Sequence, residues 1–487
     1  MKRIISFAIA LSAIFSCLAL TSCAKKQVSG PNNDPGNIEE GRRWLDDIPE
    51  DVTLEGSVVT FVGHGETGAF EPGLAGTYVE EDTGEIVDTA LYDSVREIEA
   101  RFLVDIEFVN ATNTLTNAIK KNLMSGDDDY DVLAGYGFYD ISLATEGYLL
   151  NLNDLSAWGA NDIINHEKSY WFTRYIDEIT YLDNMYWLVG DISTLTLGCM
   201  YVTFVNTQLY ERTCLEKYGN IYDIVNRGEW TIDALAEMAA LGYSDTNGND
   251  KADLGDIFGW SSSWVDVVDG MSMGAGFEYS KKQVDGSITF TVNSYVHNMD
   301  VIAKLSRLKT AVGSFVTTSD EATMLDFKSG NILFTVNDLR LAELHLREME
   351  TDYYILPTPK YDLNQAEYRT AIHDEYSLFG ISYASDVVYE SAVVMEALCA
   401  EHSRAVRPKY YDEALKYKYT RDDGSAEMID IIRDSVYTDF VFAWTNSVAQ
   451  VTHAMRPLPA NPASQFKKQE KTWTTAFEAL IEALKSE

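Results

Sequence analysis

The chain has 487 residues, with 76 acidic side chains against 38 lysines and arginines and a formal charge of −38. That balance excludes a nucleic-acid binder that works by neutralising phosphates and argues against adhesion to an anionic membrane surface. Hydrophobic residues make up 46% of the chain and aromatics 12%, enough for sizeable cores, and the length predicts two lobes or more.

Lys2 and Arg3 precede an apolar stretch from Ile4 to Leu20 that ends in Leu20-Thr21-Ser22-Cys23. A basic start, a short apolar run and small residues describe a signal peptide, here residues 1–22. The run is marginal for a spanning helix of about 20 residues, and no later stretch qualifies. Its ending resembles the lipobox of bacterial lipoproteins, which implies acylation of Cys23 as the first mature residue. Plain secretion, or a membrane anchor with an incidental cysteine, is the alternative. Residues 23–51 hold Pro, Gly, Asn and charge without apolar periodicity and read as a flexible tether, with a mean reach of roughly 30 Å. Cys17 leaves with the signal. Cys199, Cys214 and Cys399 allow at most one disulfide and read as buried small hydrophobes, with a Cys199–Cys214 bridge as the alternative.

Order begins at Gly56–Val62, a β-branched run closed by the Gly63-His64-Gly65-Glu66-Thr67-Gly68 loop. Leu91, Val95, Ile98 and Phe102 recur at helical spacing, and Val104, Ile106 and Phe108 alternate as a strand. Leu115, Ala118, Ile119 and Leu123 form a second helical stripe before a third strand at 130–135. Strand, helix, strand, helix, strand predicts a parallel α/β sheet. Ligands of such sheets sit outside the carboxyl ends of the strands, so the loops at 63–68 and 135–140 are candidate sites. Farther on, 201–205 and 332–336 read as strands, and 231–241, 299–308, 387–399 and 471–485 as helices.

Several segments, in this order, resemble the family-1 extracellular solute-binding proteins, the lipid-anchored receptors of ABC importers. They are Tyr181-Leu182-Asp183-Asn184-Met185-Tyr186-Trp187-Leu188-Val189-Gly190-Asp191, then Glu229-Trp230-Thr231-Ile232-Asp233-Ala234-Leu235, then Phe327-Lys328-Ser329-Gly330-Asn331-Ile332-Leu333-Phe334 and Ile355-Leu356-Pro357-Thr358-Pro359. Val189 stands where many members have Pro, and the His64 loop matches no family pattern. The resemblance implies an α/β, two-lobed periplasmic-binding-protein-like fold (type II) with a hinge between lobes. Lobe one is expected at 52–190 plus 370–405, and lobe two at 195–365 plus 406–487. It further implies a place on the outer face of a bacterial cell membrane, held by the lipid alone, and the acidic charge balance reads as a body that stays monomeric and dispersed. Such a protein passes a small solute, an oligosaccharide in many members, to ABC permease subunits. Two alternatives stay open: a lipid-anchored glycoside hydrolase, and a surface glycan binder without a transport role.

Candidate site residues follow. Tyr136, Phe138, Tyr139, Trp187, Trp260, Trp264 and Tyr376 offer flat apolar faces for sugar rings, each with a core role as the alternative. Trp260 and Trp264 flank three serines in a segment that reads as a turn. Polar candidates are His64, Glu66, Asp191, Asp338, Arg340, His373, Asp374 and Glu375. Arg340 offers a guanidinium fork, with a structural pair to Asp338 as the alternative. His373 and Glu375 have no nucleophile motif beside them, so no catalysis and no functional cofactor are expected. Asp245, Asn247, Asn249, Lys251, Asp253 and Asp256 match part of a calcium loop, although Asp250 replaces the usual glycine and Asp256 the usual glutamate. A structural Ca2+ and a solvated Asx-rich turn are both compatible with them.

Overall fold

Strand β1 (Val58–Gly63) lies at the centre of a four-stranded sheet, with Val59, Phe61 and Val62 buried. In this computed structural model, which describes residues 43–63, 73–111, 114–253, 255–416, 423–458 and 462–486, β1 pairs in parallel with β2 (Asp105–Asn110) and β3 (Val132–Tyr136). The helix Ile86–Phe102 buries the Leu91, Val95, Ile98 and Phe102 stripe. It ends at Leu103, a leucine in the left-handed region whose N–H closes onto Glu99 O. The same core takes in Ala392, Val393 and Met395 of the helix Val388–Glu401.

The second sheet collects β4 (Tyr201–Asn206), β5 (Phe258–Ser263), β8 (Ser314–Thr317), β9 (Ile332–Asp338) and β10 (Tyr353–Pro357). A separate hairpin is made of β6 (Ser280–Lys282) and β7 (Ile288–Phe290). The strand order is β10-β4-β9-β5-β8, with β5 parallel to β8 and β9. Every residue of β4, β5 and β9 is buried, which is why 201–205 and 332–336 read as unbroken apolar runs. Pro357 falls on the edge strand, where a missing N–H costs nothing. Thr231 caps its helix by accepting from Ala234 N, as its position predicts. After β10 the chain returns to the first sheet as β11 (Ser377–Ile381), antiparallel to β3.

Two expectations need correction. The Trp260–Trp264 segment is no turn: β5 runs as a fully buried strand to Ser263, and Trp264 opens the next helix. Its serines mimic a loop, but the Ser262 hydroxyl bonds Val336 O and Ser263 caps the next helix. The tether also ends earlier than residue 51. Asp46 is buried in a two-pronged pair with Arg101, at 2.6 and 2.8 Å. Trp44 lies under the Arg43 and Arg101 guanidiniums, and Ile48 and Leu54 join the core. Composition alone does not reveal a partner 55 residues away. Cys23 and the signal segment lie outside the described residues. Cys199, Cys214 and Cys399 are free and buried.

His402 follows the helix Val388–Glu401 and is fully buried, its Nδ1–H donating to Ile192 O at 3.0 Å. Burial pushes its imidazole down to about 4 from an ordinary 6.5. The unfolded chain therefore takes up the proton first, and this part of the stability is lost as pH falls from 6.5 toward 4. Between pH 7 and pH 5 the loss is expected to be about 2 kcal/mol. Urea unfolding of the natural chain and of His402→Gln checks this; an equal loss in both would remove the assignment.

Candidate functional site

The carboxyl end of β3 in the first sheet and those of β5 and β9 in the second converge on two crossing segments, 191–200 and 370–376. Gly137 N donates to Tyr376 O (2.9 Å) and Phe138 N to Asp374 O (3.1 Å), so the loop after β3 is tied to one crossing. His373 N bonds Cys199 O (2.8 Å), which joins the two crossings, and Tyr201 N bonds Ala371 O (2.9 Å). Residue 137 is glycine for a steric reason: a Cβ there would lie 2.2 Å from the Tyr376 ring.

Charged groups cluster at this junction. Arg340 Nε donates to Asp338 Oδ1 (3.0 Å), and its Nη2 meets Glu375 Oε2 (2.5 Å). Arg456 Nη2 bridges Asp269 Oδ2 (2.6 Å) and Asp374 Oδ2 (3.3 Å). His373 Nδ1 and His453 Nε2 lie 3.3 and 3.8 Å from Asp374 oxygens. Burial opposes the Asp374 charge, but His373, His453 and Arg456 outweigh it and hold the carboxyl well below its usual range. Burial pushes the Asp338 carboxyl up, against the pull of Arg340.

The aromatic candidates divide. Trp264, just past β5, is 36% exposed, and Tyr139, past β3, is 52% exposed. Tyr136 is half-buried and meets Tyr139 edge to face. Phe138 is buried, with its ring stacked on His453 at 5.1 Å and planes 2° apart. Trp187, Trp260 and Tyr376 are core side chains; the Trp187 indole N–H bonds Ile141 O.

The fold thus brings Tyr136, Phe138 and Tyr139 to one sheet's end, and Trp264, Asp338 and Arg340 to the other's. His373, Asp374 and Glu375 lie between them. Asp191 is buried away from the cluster's ion pairs, its oxygens taken by Arg407 and Arg433. His64 and Glu66 fall outside the described residues. Sequence reasoning missed Asp269, His453 and Arg456. Residues 435–458 carry no periodicity to place the last two, although Asp266 and Asp269, three apart after Trp264, share a helical face and were legible.

The 245–256 loop closes on itself. Asp245 accepts from Gly248 N and Asp250 N, and Asp256 from Thr246 N and Asp253 N. The Asn247 and Asn249 amides both donate to Asp253. The backbone N–H of Asp250 first, and that of Gly248, draw the Asp245 carboxyl below its usual range. The Lys251 N–H bonds the Asn249 side chain. Among the described residues, no group of three or more His, Cys, Asp or Glu side chains is arranged to hold a metal ion. Titration with millimolar calcium separates the two readings of this loop: a rise in Tm of several degrees, reversed by chelator, would place an ion there, and a shift below about 1 °C would leave the Asx-rich turn.

No protein-family model matches the chain, and neither does the sequence of any curated protein. Solved structures do match. The galacto-N-biose-/lacto-N-biose I-binding protein of the ABC transporter from Bifidobacterium longum, in complex with lacto-N-biose, is 13% identical with a TM-score of 0.55, covering 87% of this chain and 97% of that one. An ABC substrate-binding protein from Listeria monocytogenes, in complex with cycloalternan, is 14% identical with a TM-score of 0.53, covering 87% and 99%. UgpB from Mycobacterium tuberculosis, in complex with glycerophosphocholine, is 13% identical with a TM-score of 0.52, covering 81% and 96%. At these identities the likeness establishes the architecture: the chain has the two-lobed periplasmic-binding-protein-like α/β fold.

Proposed function

We propose that this protein is the extracytoplasmic solute-capture component of an ABC importer and takes a glycan between its lobes. The observation that carries the reading is the convergence of strand ends from both sheets on the crossing segments. Exposed rings of Trp264 and Tyr139 stand there beside the Asp338–Arg340–Glu375 and Asp374–Arg456 clusters. Flat rings beside a few fixed polar groups suit a sugar, which offers C–H faces and hydroxyls. Proteins of the same fold bind lacto-N-biose and cycloalternan, which supports the ligand class. The chain binds without turnover and works as a monomer that hands its solute to permease subunits.

Acylated Cys23 holds the body to the outer face of the membrane after residues 1–22 are removed. Residues 23–42 serve as the leash, since residues from 43 onward pack on lobe one. No helix among the described residues is long and apolar enough to cross a membrane, so on this reading the lipid carries the attachment. A Cys23→Ala protein is released from the membrane fraction; full retention would overturn the anchor. A panel of di- to hexasaccharides in a thermal-shift assay tests the ligand class. At least one glycan raises Tm by several degrees, and stabilisation by none would sink the carbohydrate reading.

A further inference from the structure

A cavity of about 340 Å3 lies between the first turns of the helix Ile86–Phe102, which follows β1 of the first sheet, and the segment around the helix Arg340–His345, which follows β9 of the second. Asp88 and Leu91 line it from one lobe and Glu343 and Arg347 from the other, with Thr194 of a crossing segment between them. Both helices come after the carboxyl ends of strands, the side of an α/β sheet on which ligands sit. The cavity also borders the charged cluster. Tyr410 in its wall meets Arg340 at Gly198, where a Cβ would lie 2.7 Å from the Tyr410 hydroxyl and 3.0 Å from Arg340 Cβ. At this volume it falls at the small end of ligand pockets, which begin near roughly 300 Å3.

The bland reading is an unfilled gap where two lobes meet. A gap accounts for the volume, but not for walls that are held in place from behind. Tyr78, which also lines the cavity, is stacked on Phe108 of β2, with centroids 4.0 Å and planes 5° apart. Arg347 Nη2 is aimed by Glu343 Oε1 at 2.8 Å. The loop before Tyr78 lies hard against the crossing: Thr194 N donates to Gly76 O (2.9 Å), and Gly76 has φ +67°. A Cβ on Gly76 would lie 2.3 Å from the Thr194 hydroxyl oxygen, so only glycine fits. The lining pairs an aromatic ring and Leu91 with carboxylates and one guanidinium, which suits the C–H face and hydroxyls of a pyranose. Asp88 and Glu343 outnumber Arg347, and that surplus of negative charge works against an acidic sugar.

We propose that this cavity is a second subsite, which takes a further neutral sugar unit of the captured glycan, so that the protein prefers oligosaccharides longer than a disaccharide. The proposal rests on the glycan reading above and narrows it. Because the walls come from both lobes, a unit lodged there touches both at once and favours their closed arrangement through those added contacts.

Isothermal titration of the mature protein with malto-, cello- and manno-oligosaccharides of two, four and six units tests this. In the series that binds, the tetrasaccharide is expected to bind at least about tenfold tighter than the disaccharide. In Tyr78→Ala that ratio is expected to fall to within about twofold, because the platform for the added unit is gone. A disaccharide that binds as tightly as the longer chains overturns the inference and leaves the glycan reading standing. Binding of none of these oligomers overturns the inference too, and binding of no carbohydrate in the wider panel overturns both readings. A ratio that Tyr78→Ala leaves intact overturns the assignment to this cavity. Should that variant fail to fold, Arg347→Ala, whose side chain is 46% exposed, is expected to cut the ratio at least about threefold, and an unchanged ratio counts against the subsite.

Discussion

An Asp191→Ala protein is expected to be less stable by about 3–5 kcal/mol in urea unfolding, the range for breaking a buried ion pair from one side. The Asp191 side chain is fully buried, and Arg433 Nη2 donates to both its oxygens, at 3.0 and 2.9 Å. Arg407 bonds the same carboxylate, and Arg433 also reaches Ser169 O. Removing the carboxylate strands two guanidiniums that are 12% and 8% exposed. Arg433 belongs to the helix Asp423–Asp434 that covers β10, whereas Asp191 begins a crossing segment. The pair therefore fastens the second lobe's outer helix to the interlobe connection. An exposed pair such as Arg347–Glu343 serves as the control, with a cost below about 0.5 kcal/mol. A loss under about 1 kcal/mol in Asp191→Ala would mean that the arginines find other acceptors and that the pair is not a fastening point.

Trp264→Ala is expected to weaken binding of the captured glycan by about 30–100-fold, near 2–3 kcal/mol, while Tm stays within a few degrees. The indole is partly exposed at the carboxyl end of β5, where it stabilises the apo fold little and offers a bound sugar much. Trp260, four residues earlier, is fully buried in β5, and its replacement is expected to cost stability first. The contrast separates a ligand platform from a core ring. Calorimetry with the best glycan of the panel reads the effect, and an affinity loss below threefold would remove Trp264 from the site.

Much of the architecture was legible because its signals are local. The Leu91–Phe102 stripe and the alternation at 104–108 each report burial of one face, and the apolar runs of β4 and β9 report burial of two. β5 escaped because its three serines read as a turn, while the bond that the buried Ser262 hydroxyl makes to Val336 O has its partner far off in sequence. The docking of residues 43–54 escaped for the same reason, since the Asp46–Arg101 pair leaves no local trace. At the site, Arg340 could be named, with Asp338 as its partner, because it stands at the end of a strand, where ligands sit. His453 and Arg456 could not, because only tertiary structure carries an aperiodic segment to Phe138 and Asp374. Asp191 was named for its place after the Trp187 segment, and two arginines more than 200 residues away determine what its charge does.

Capture between the lobes is read by hydrogen exchange with and without the best-binding glycan. Exchange is expected to slow in peptides spanning 136–139, 263–266 and 373–376, one from each sheet's end and one from the crossing between them. Slowing confined to another surface, such as the groove between Ile86 and Arg404, with those three peptides unchanged, would contradict capture between the lobes.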